Sequence, residues 1–367
     1  MGHFRKNLIT LFLNDYCNMS CIYCPMHSKT AIEYKMHDKS KILDIEFAKC
    51  GIKDFFEQTQ SYRIRLFSNG EPTLSFSLMK EIVEYSIELA GKKLYVELQT
   101  NGFFSDDVCK WIDLNVDMLW ISLDGIQDVQ DRQRLSITGE TVFPVIDRNI
   151  KSLKSSERTK IGLRPTITEY GMSKQKELIN YCNENNVSVI YAYPWVSFMR
   201  QIEGQPSLEE FAKQYLQLIN YAKEKNVYYG TIFMINFDEE VEINCRALLP
   251  APHLTPDGYV SCCDMMNNGE GILEDLIYGK YVSEEKRIEY NHKKIEKIQS
   301  RNIHNLEQCK NCEVLKHCAG GCVGSAILYS GDFYGINQMF CKTTKYLYKY
   351  MKEYVNVGYN RSLPLHP

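Results

Sequence analysis

Leu8-Ile9-Thr10-Leu11-Phe12-Leu13-Asn14-Asp15-Tyr16-Cys17-Asn18-Met19-Ser20-Cys21-Ile22-Tyr23-Cys24 is the stretch on which the reading turns. Leu8–Leu13 is a short apolar run and predicts a strand. Three cysteines at spacings of three and two residues fall in the loop directly after it. The run is too short for a signal peptide and ends at Asn14 and Asp15, and no segment reaches the ~18 apolar residues of a membrane span. The expected compartment is the cytoplasm, where the 14 cysteines of this 367-residue chain stay reduced. Closely spaced reduced thiols point to metal rather than to a disulfide framework. A 4Fe–4S cube has four irons, so three local thiolates leave one iron open to a ligand. The competing reading is a zinc site with a distant fourth donor such as His27.

Outward from this loop, the first half alternates strand-like and helix-like stretches. Strands are expected at Leu8–Leu13, Arg63–Phe67, Leu94–Gln99, Met118–Leu123, Lys160–Ile167 and Val187–Ala192. Helices are expected at Ile45–Gln58, Ser77–Ala90, Phe143–Leu153 and Ser173–Asn185. Six such alternations predict a parallel, partial (β/α)6 TIM-like barrel with its chemistry at the C-terminal ends of the strands. Leu208–Lys225 reads as a bridging amphipathic helix. From about Ile235 the chain reads as irregular and rich in Cys, Gly, Asn and Asp, where metal–sulfur bonds would replace a large apolar core. The expected division is a core barrel over 1–200, a bridge over 201–234, a cysteine-rich domain over 235–350 and a tail over 351–367. A net charge of −3 gives no footprint for nucleic acid. The most basic stretch, Lys286–Lys297, also holds Glu289 and Glu296 and reads as a solvated helix face.

Cys17-x3-Cys21-x2-Cys24 after strand one, with Tyr23 before the last cysteine, resembles the signature of the radical S-adenosylmethionine (radical SAM) superfamily. The resemblance implies a cluster whose open iron holds the amino-acid end of SAM, and cleavage of SAM to a 5′-deoxyadenosyl radical. Further motifs follow in family order. Gly70-Glu71-Pro72 ends strand two and resembles the turn that meets the SAM amino group, with Asn69 where the family has glycine. Asn101 lies at the end of strand three. Ser122, implied to contact the SAM ribose, and Asp124 end strand four. Arg134 resembles an arginine that binds the SAM carboxylate, a group that a guanidinium fits with two parallel hydrogen bonds; Arg132 competes for that role.

The second cysteine set is Cys245, then twelve residues, Gly258, four residues and Cys263, followed by Cys309-x2-Cys312-x5-Cys318-x3-Cys322 and Cys341. It resembles the SPASM extension, which carries two auxiliary 4Fe–4S clusters. The resemblance implies Cys309, Cys312, Cys318 and Cys341 on the distal cluster, and Cys245, Cys263 and Cys322 on the proximal one. The proximal site then lacks an evident fourth protein ligand: Cys262 is adjacent, or the site is open to substrate. A zinc ribbon over Cys309–Cys322 is the rival. Asp264 matches an aspartate that acts as base near the substrate in sulfatase-maturing relatives; otherwise it is a turn residue capping Asn267. Cys262 is a candidate hydrogen-atom donor for an epimerisation. Cys50, Cys109 and Cys182 read as buried small apolar residues. Tyr191, Tyr193 and Trp195 end strand six, as pocket lining or as core.

The implied partners are SAM as co-substrate and a one-electron reductant of the flavodoxin or ferredoxin type. The first expectation for substrate is a ribosomally made peptide undergoing crosslinking, epimerisation or dehydrogenation, with recognition left to a separate protein, since few residues precede Cys17. The second is a small polyol, amino sugar or aminocyclitol. The third is a non-enzymatic electron carrier or zinc protein.

Overall fold

A computed structural model describes residues 8–24, 41–196, 203–234, 237, 239–265 and 271–351. His27, Asn267 and the tail beyond Met351 lie outside them. Strands run in chain order as β1 (Ile9–Phe12), β2 (Met19–Cys21), β3 (Arg63–Phe67), β4 (Tyr95–Thr100), β5 (Met118–Ile121), β6 (Arg134–Ser136), β7 (Lys160–Leu163), β8 (Thr166–Ile167), β9 (Val189–Pro194) and β10 (Tyr228–Thr231). β1, β3, β4, β5, β7, β9 and β10 pair in that order, all parallel. Ile9–Phe12 and Met118–Ile121 are buried at every residue, as strands covered on both faces must be. The fold is the expected mixed α/β partial barrel.

Capping sets the helix starts. Asp44 accepts from the Phe47 amide at 2.8 Å and opens Ile45–Thr59, which ends on Gln60 in the left-handed region at φ 55°. Ser105 caps Asp106–Asn115, with Asp106 and Asp107 in its first turn facing the helix dipole. Two expected elements are split. Lys160–Ile167 breaks around Pro165, which has no N–H to continue the ladder; its carbonyl instead accepts from Tyr193 N at 3.0 Å, and β8 resumes on β9. Ser173–Asn185 begins at Gln175, after a separate turn, Glu169–Met172, capped by Thr168.

The later part of the chain is also more regular than its composition suggests. The bridging helix, Leu208–Glu224, leads into β10, so this segment adds a seventh strand to the barrel sheet. β11 (His253–Leu254), β12 (Tyr259–Ser261), β13 (Ile277–Val282) and β14 (Arg287–Tyr290) follow. β11 lies parallel to β1, and the other three continue antiparallel from it. The cysteine-rich part therefore grows from the open edge of the barrel sheet, and a common core runs through both. The basic stretch 286–297 is half strand and half helix (His292–Ser300). Several of its cations pair with carboxylates: Arg287 with Glu285 and Glu289, Lys297 with Asp275, and Lys286 with the distant Glu46. Among the described residues no helix is long and apolar enough to cross a membrane.

Candidate active site

The cysteine loop is fixed by a two-stranded ladder. β2 pairs antiparallel with β6, which sets Cys21 opposite Arg134. Arg134 Nη1 then reaches Cys21 Sγ at 3.8 Å, while Asn101 Nδ2 and Met19 N approach Cys17 Sγ at 3.8 and 3.4 Å. Sulfur surrounded by N–H donors beside a buried cation is the surrounding that suits a thiolate bound to a cluster. Burial, aided by Glu71, pushes Cys17 up to about 12, and burial against the pull of Arg134 pushes Cys21 to about 11. These thiols are neutral on their own, and a metal charge is what would deprotonate them.

Asp124 and Glu71 are fully engaged by the protein. The Asp124 carboxylate accepts from Tyr23 Oη, from Gln133 Nε2 at 2.7 Å and from Thr166 N at 2.8 Å, and pairs with Arg134 Nε at 3.1 Å. Arg134 also lies 5.1 Å from the Tyr23 ring centre. Glu71 Oε1 takes the Thr100 hydroxyl at 2.6 Å and both Thr73 N and Oγ1; its Oε2 takes Asn101 N at 2.7 Å. Glu71 thereby ties the end of β3 to the end of β4, next to Pro72, which opens a short 3-10 turn. Ser122 is half-buried at the end of β5, and Arg132 is exposed, stacked 4.2 Å from Tyr170. The expected site residues of the barrel thus gather at the C-terminal ends of β1, β3, β4 and β5 and on the β2–β6 ladder.

The second cysteine set divides in space. Cys309, Cys312, Cys318 and Cys341 wall one small cavity. Cys245, Cys262, Cys263 and Cys322 border another, of about 350 Å³, that opens onto the barrel interior. Asn337 and Phe340 line both and so separate them. Among the described residues no three His, Cys, Asp or Glu side chains close on a single metal ion.

On the barrel side, the larger cavity is faced by Arg65, Arg164, Tyr193, Arg246, His253 and Asp264. Asp264 is half-buried. Its Oδ1 contacts Arg65 Nη2 and lies 2.8 Å from His253 Nε2. Burial alone would raise its pKa, but Arg65 and His253 hold the carboxyl well below the usual carboxylate range. Arg164 bonds Gln99 Oε1 at 2.6 Å and Tyr193 Oη at 2.7 Å. Tyr193 lines the cavity; Tyr191 packs in the barrel with Met118 and Trp120; Trp195 lies 6.1 Å from Tyr23. Arg65 and His253 went unnoticed in the sequence. Arg63 and Arg65 alternating with Ile64 and Leu66 in a buried strand was a usable signal for an interior charge, since alternate residues face opposite sides. His253 gave none, because its strand is two residues long.

Residues 11–172 match the radical SAM superfamily. A cysteine-type anaerobic sulfatase-maturating enzyme of Clostridium perfringens is 22% identical over 335 residues, 83% of this chain and 85% of that one. An uncharacterized protein of Methanocaldococcus jannaschii is 28% identical over 186 residues, 49% of this chain and only 56% of its own length. Among solved structures, native anSMEcpe with bound AdoMet and Cp18Cys peptide superposes with a TM-score of 0.74 at 17% identity, covering 96% of this chain and 99% of that one; the likeness establishes the shared fold. SAM and one 4Fe–4S cluster are what the superfamily implies, and a non-enzymatic role is set aside. The chain is an enzyme, and its residues 11–172 match the radical SAM superfamily.

Proposed function

We propose that this enzyme modifies a peptide by radical chemistry, with a SAM-binding cluster on Cys17, Cys21 and Cys24 and two auxiliary clusters in a SPASM-type extension. The carrying observation is the 350 Å³ cavity, which barrel residues and Cys245, Cys262, Cys263 and Cys322 line together. A substrate there lies between the strand ends and the second cysteine set. Peptide is favoured over a polyol or amino sugar because the fold matches, along nearly its whole length, a structure holding AdoMet and a peptide.

A cluster held by Cys17, Cys21 and Cys24 would supply the one-electron chemistry that cleaves SAM, and with it hydrogen-atom abstraction from a substrate carbon. The chain's own part is orientation. Arg134 and Asn101 steady the thiolates. Glu71 and Asp124 hold the turns that would present Gly70, Ser122 and Tyr23 to SAM. Asp264, kept ionised by Arg65 and His253, receives the proton as the substrate radical is oxidised. Cys245, Cys263 and Cys322 would hold the proximal auxiliary cluster, which would accept the electron, and Cys309, Cys312, Cys318 and Cys341 would hold the distal one. Cys262, fully buried at the same cavity, favours a second outcome: its S–H would return a hydrogen atom to the substrate radical, giving epimerisation, and the thiyl radical left behind would be restored by one electron from the external reductant and one proton from solvent.

The test is anaerobic incubation in D2O with SAM, dithionite and the short peptides encoded beside the gene, read by mass spectrometry. Loss of two hydrogens marks oxidation or crosslinking. Uptake of one deuterium, abolished by Cys262→Ala, marks epimerisation. Peptides that remain unchanged while a polyol or amino sugar is oxidised would overturn the peptide assignment.

A further inference from the structure

Arg301 is a fully buried guanidinium at the C-terminal end of the helix His292–Ser300. It has no carboxylate partner among the described residues. Nη1 donates to Phe333 O at 2.8 Å and Nη2 to Gly320 O at 3.2 Å, while Nε meets no acceptor among the described residues. Gly320 belongs to the turn between Cys318 and Cys322, at φ 79°, and a Cβ there would press on Leu306 and on Arg301 itself. Burial lowers the pKa of Arg301, and the groups that pull it back are, in order, Cys322, Cys245 and Cys309, ahead of Asp332. The first two belong to one cysteine set and the third to the other. A buried charge without a counter-charge is strongly unfavourable. Two main-chain carbonyls satisfy hydrogen bonds without balancing the charge, whereas a cube with thiolate ligands carries net negative charge.

We infer that Arg301 is the shared counter-ion of the two auxiliary clusters and holds their reduction potentials up. The inference rests on the two-cluster reading above. Adding an electron makes a cluster more negative, and a fixed cation in a poorly screened interior stabilises that reduced form. Arg301 is thus a positioning charge for electron removal from the substrate radical, touching neither substrate nor SAM.

The experiment uses the full chain with Cys17, Cys21 and Cys24 all changed to Ala, reconstituted anaerobically, so that only C-terminal clusters are seen. Iron content and an EPR-monitored redox titration are compared with and without Arg301→Met, which keeps bulk, and Arg301→Lys, which keeps charge. The expected result is about eight irons per chain in all three, with the Met variant titrating at clearly more negative potential and the Lys variant staying near the parent. Iron lost from Met but kept by Lys also supports the counter-ion. Unmoved potentials in a fully loaded Met variant, equal shifts in Met and Lys, or loss of iron from both would overturn it. A parent that binds no C-terminal iron refutes the two-cluster reading itself, and the inference with it.

Discussion

Gly70 has no room for a side chain: a Cβ would lie 1.9 Å from the carbonyl oxygen of Tyr16, in the segment that leads into Cys17. Gly70→Ala must push the β3 turn away from the cysteine loop. The expected cost is on the order of 3–5 kcal/mol, seen as an earlier denaturation midpoint, with loss of SAM binding. Its neighbour Glu71 is held by hydrogen bonds from Thr73, Thr100 and Asn101. Glu71→Gln keeps the shape but sets an amide against donors from Thr73, Thr100 and Asn101. Destabilisation of about 1–3 kcal/mol follows, again checked by denaturant unfolding. Gly162 is a second such glycine: a Cβ would sit 2.4 Å from the Trp120 ring inside the barrel, though a ring can shift where a backbone carbonyl cannot.

At the scale of elements, the cysteine loop behaves as one unit, held between β2 and β6. Its thiols are pushed up by burial, Cys17 to about 12 and Cys21 to about 11, so each must release a proton to become a ligand. Iron loading at limiting iron and sulfide should therefore rise between pH 7 and pH 8.5; equal loading at both would show that the thiols are not the groups being deprotonated. The barrel strands were legible because each is a short apolar run closed by a turn motif, and the three-cysteine loop because its spacing is local. What escaped reading depends on distant partners. Pro165 splits a strand whose apolar pattern looked continuous. β11 is a strand only because it rests on β1, and with it comes His253. Arg301 lies in a polar stretch, and only the fold reveals that it is buried with no carboxylate paired to it among the described residues.

Across the whole molecule, the barrel sheet passes without interruption into the cysteine-rich part, so one cavity joins Arg65 and Arg164 to Asp264, Cys245 and Cys322. Arg65 comes from the first half of the chain and Asp264 from the second, and their ion pair spans 199 residues. Asp264→Ala should abolish product formation while SAM cleavage continues uncoupled, since the aspartate stands apart from the three-cysteine loop; 5′-deoxyadenosine and product, measured together, separate the two effects. The most direct measurement concerns Cys21→Ala, assayed anaerobically for iron and for 5′-deoxyadenosine against the unaltered enzyme. The unaltered chain should hold about twelve irons and cleave SAM, and the variant about eight with no cleavage. Cleavage that persists in the variant would contradict the assignment of the radical site.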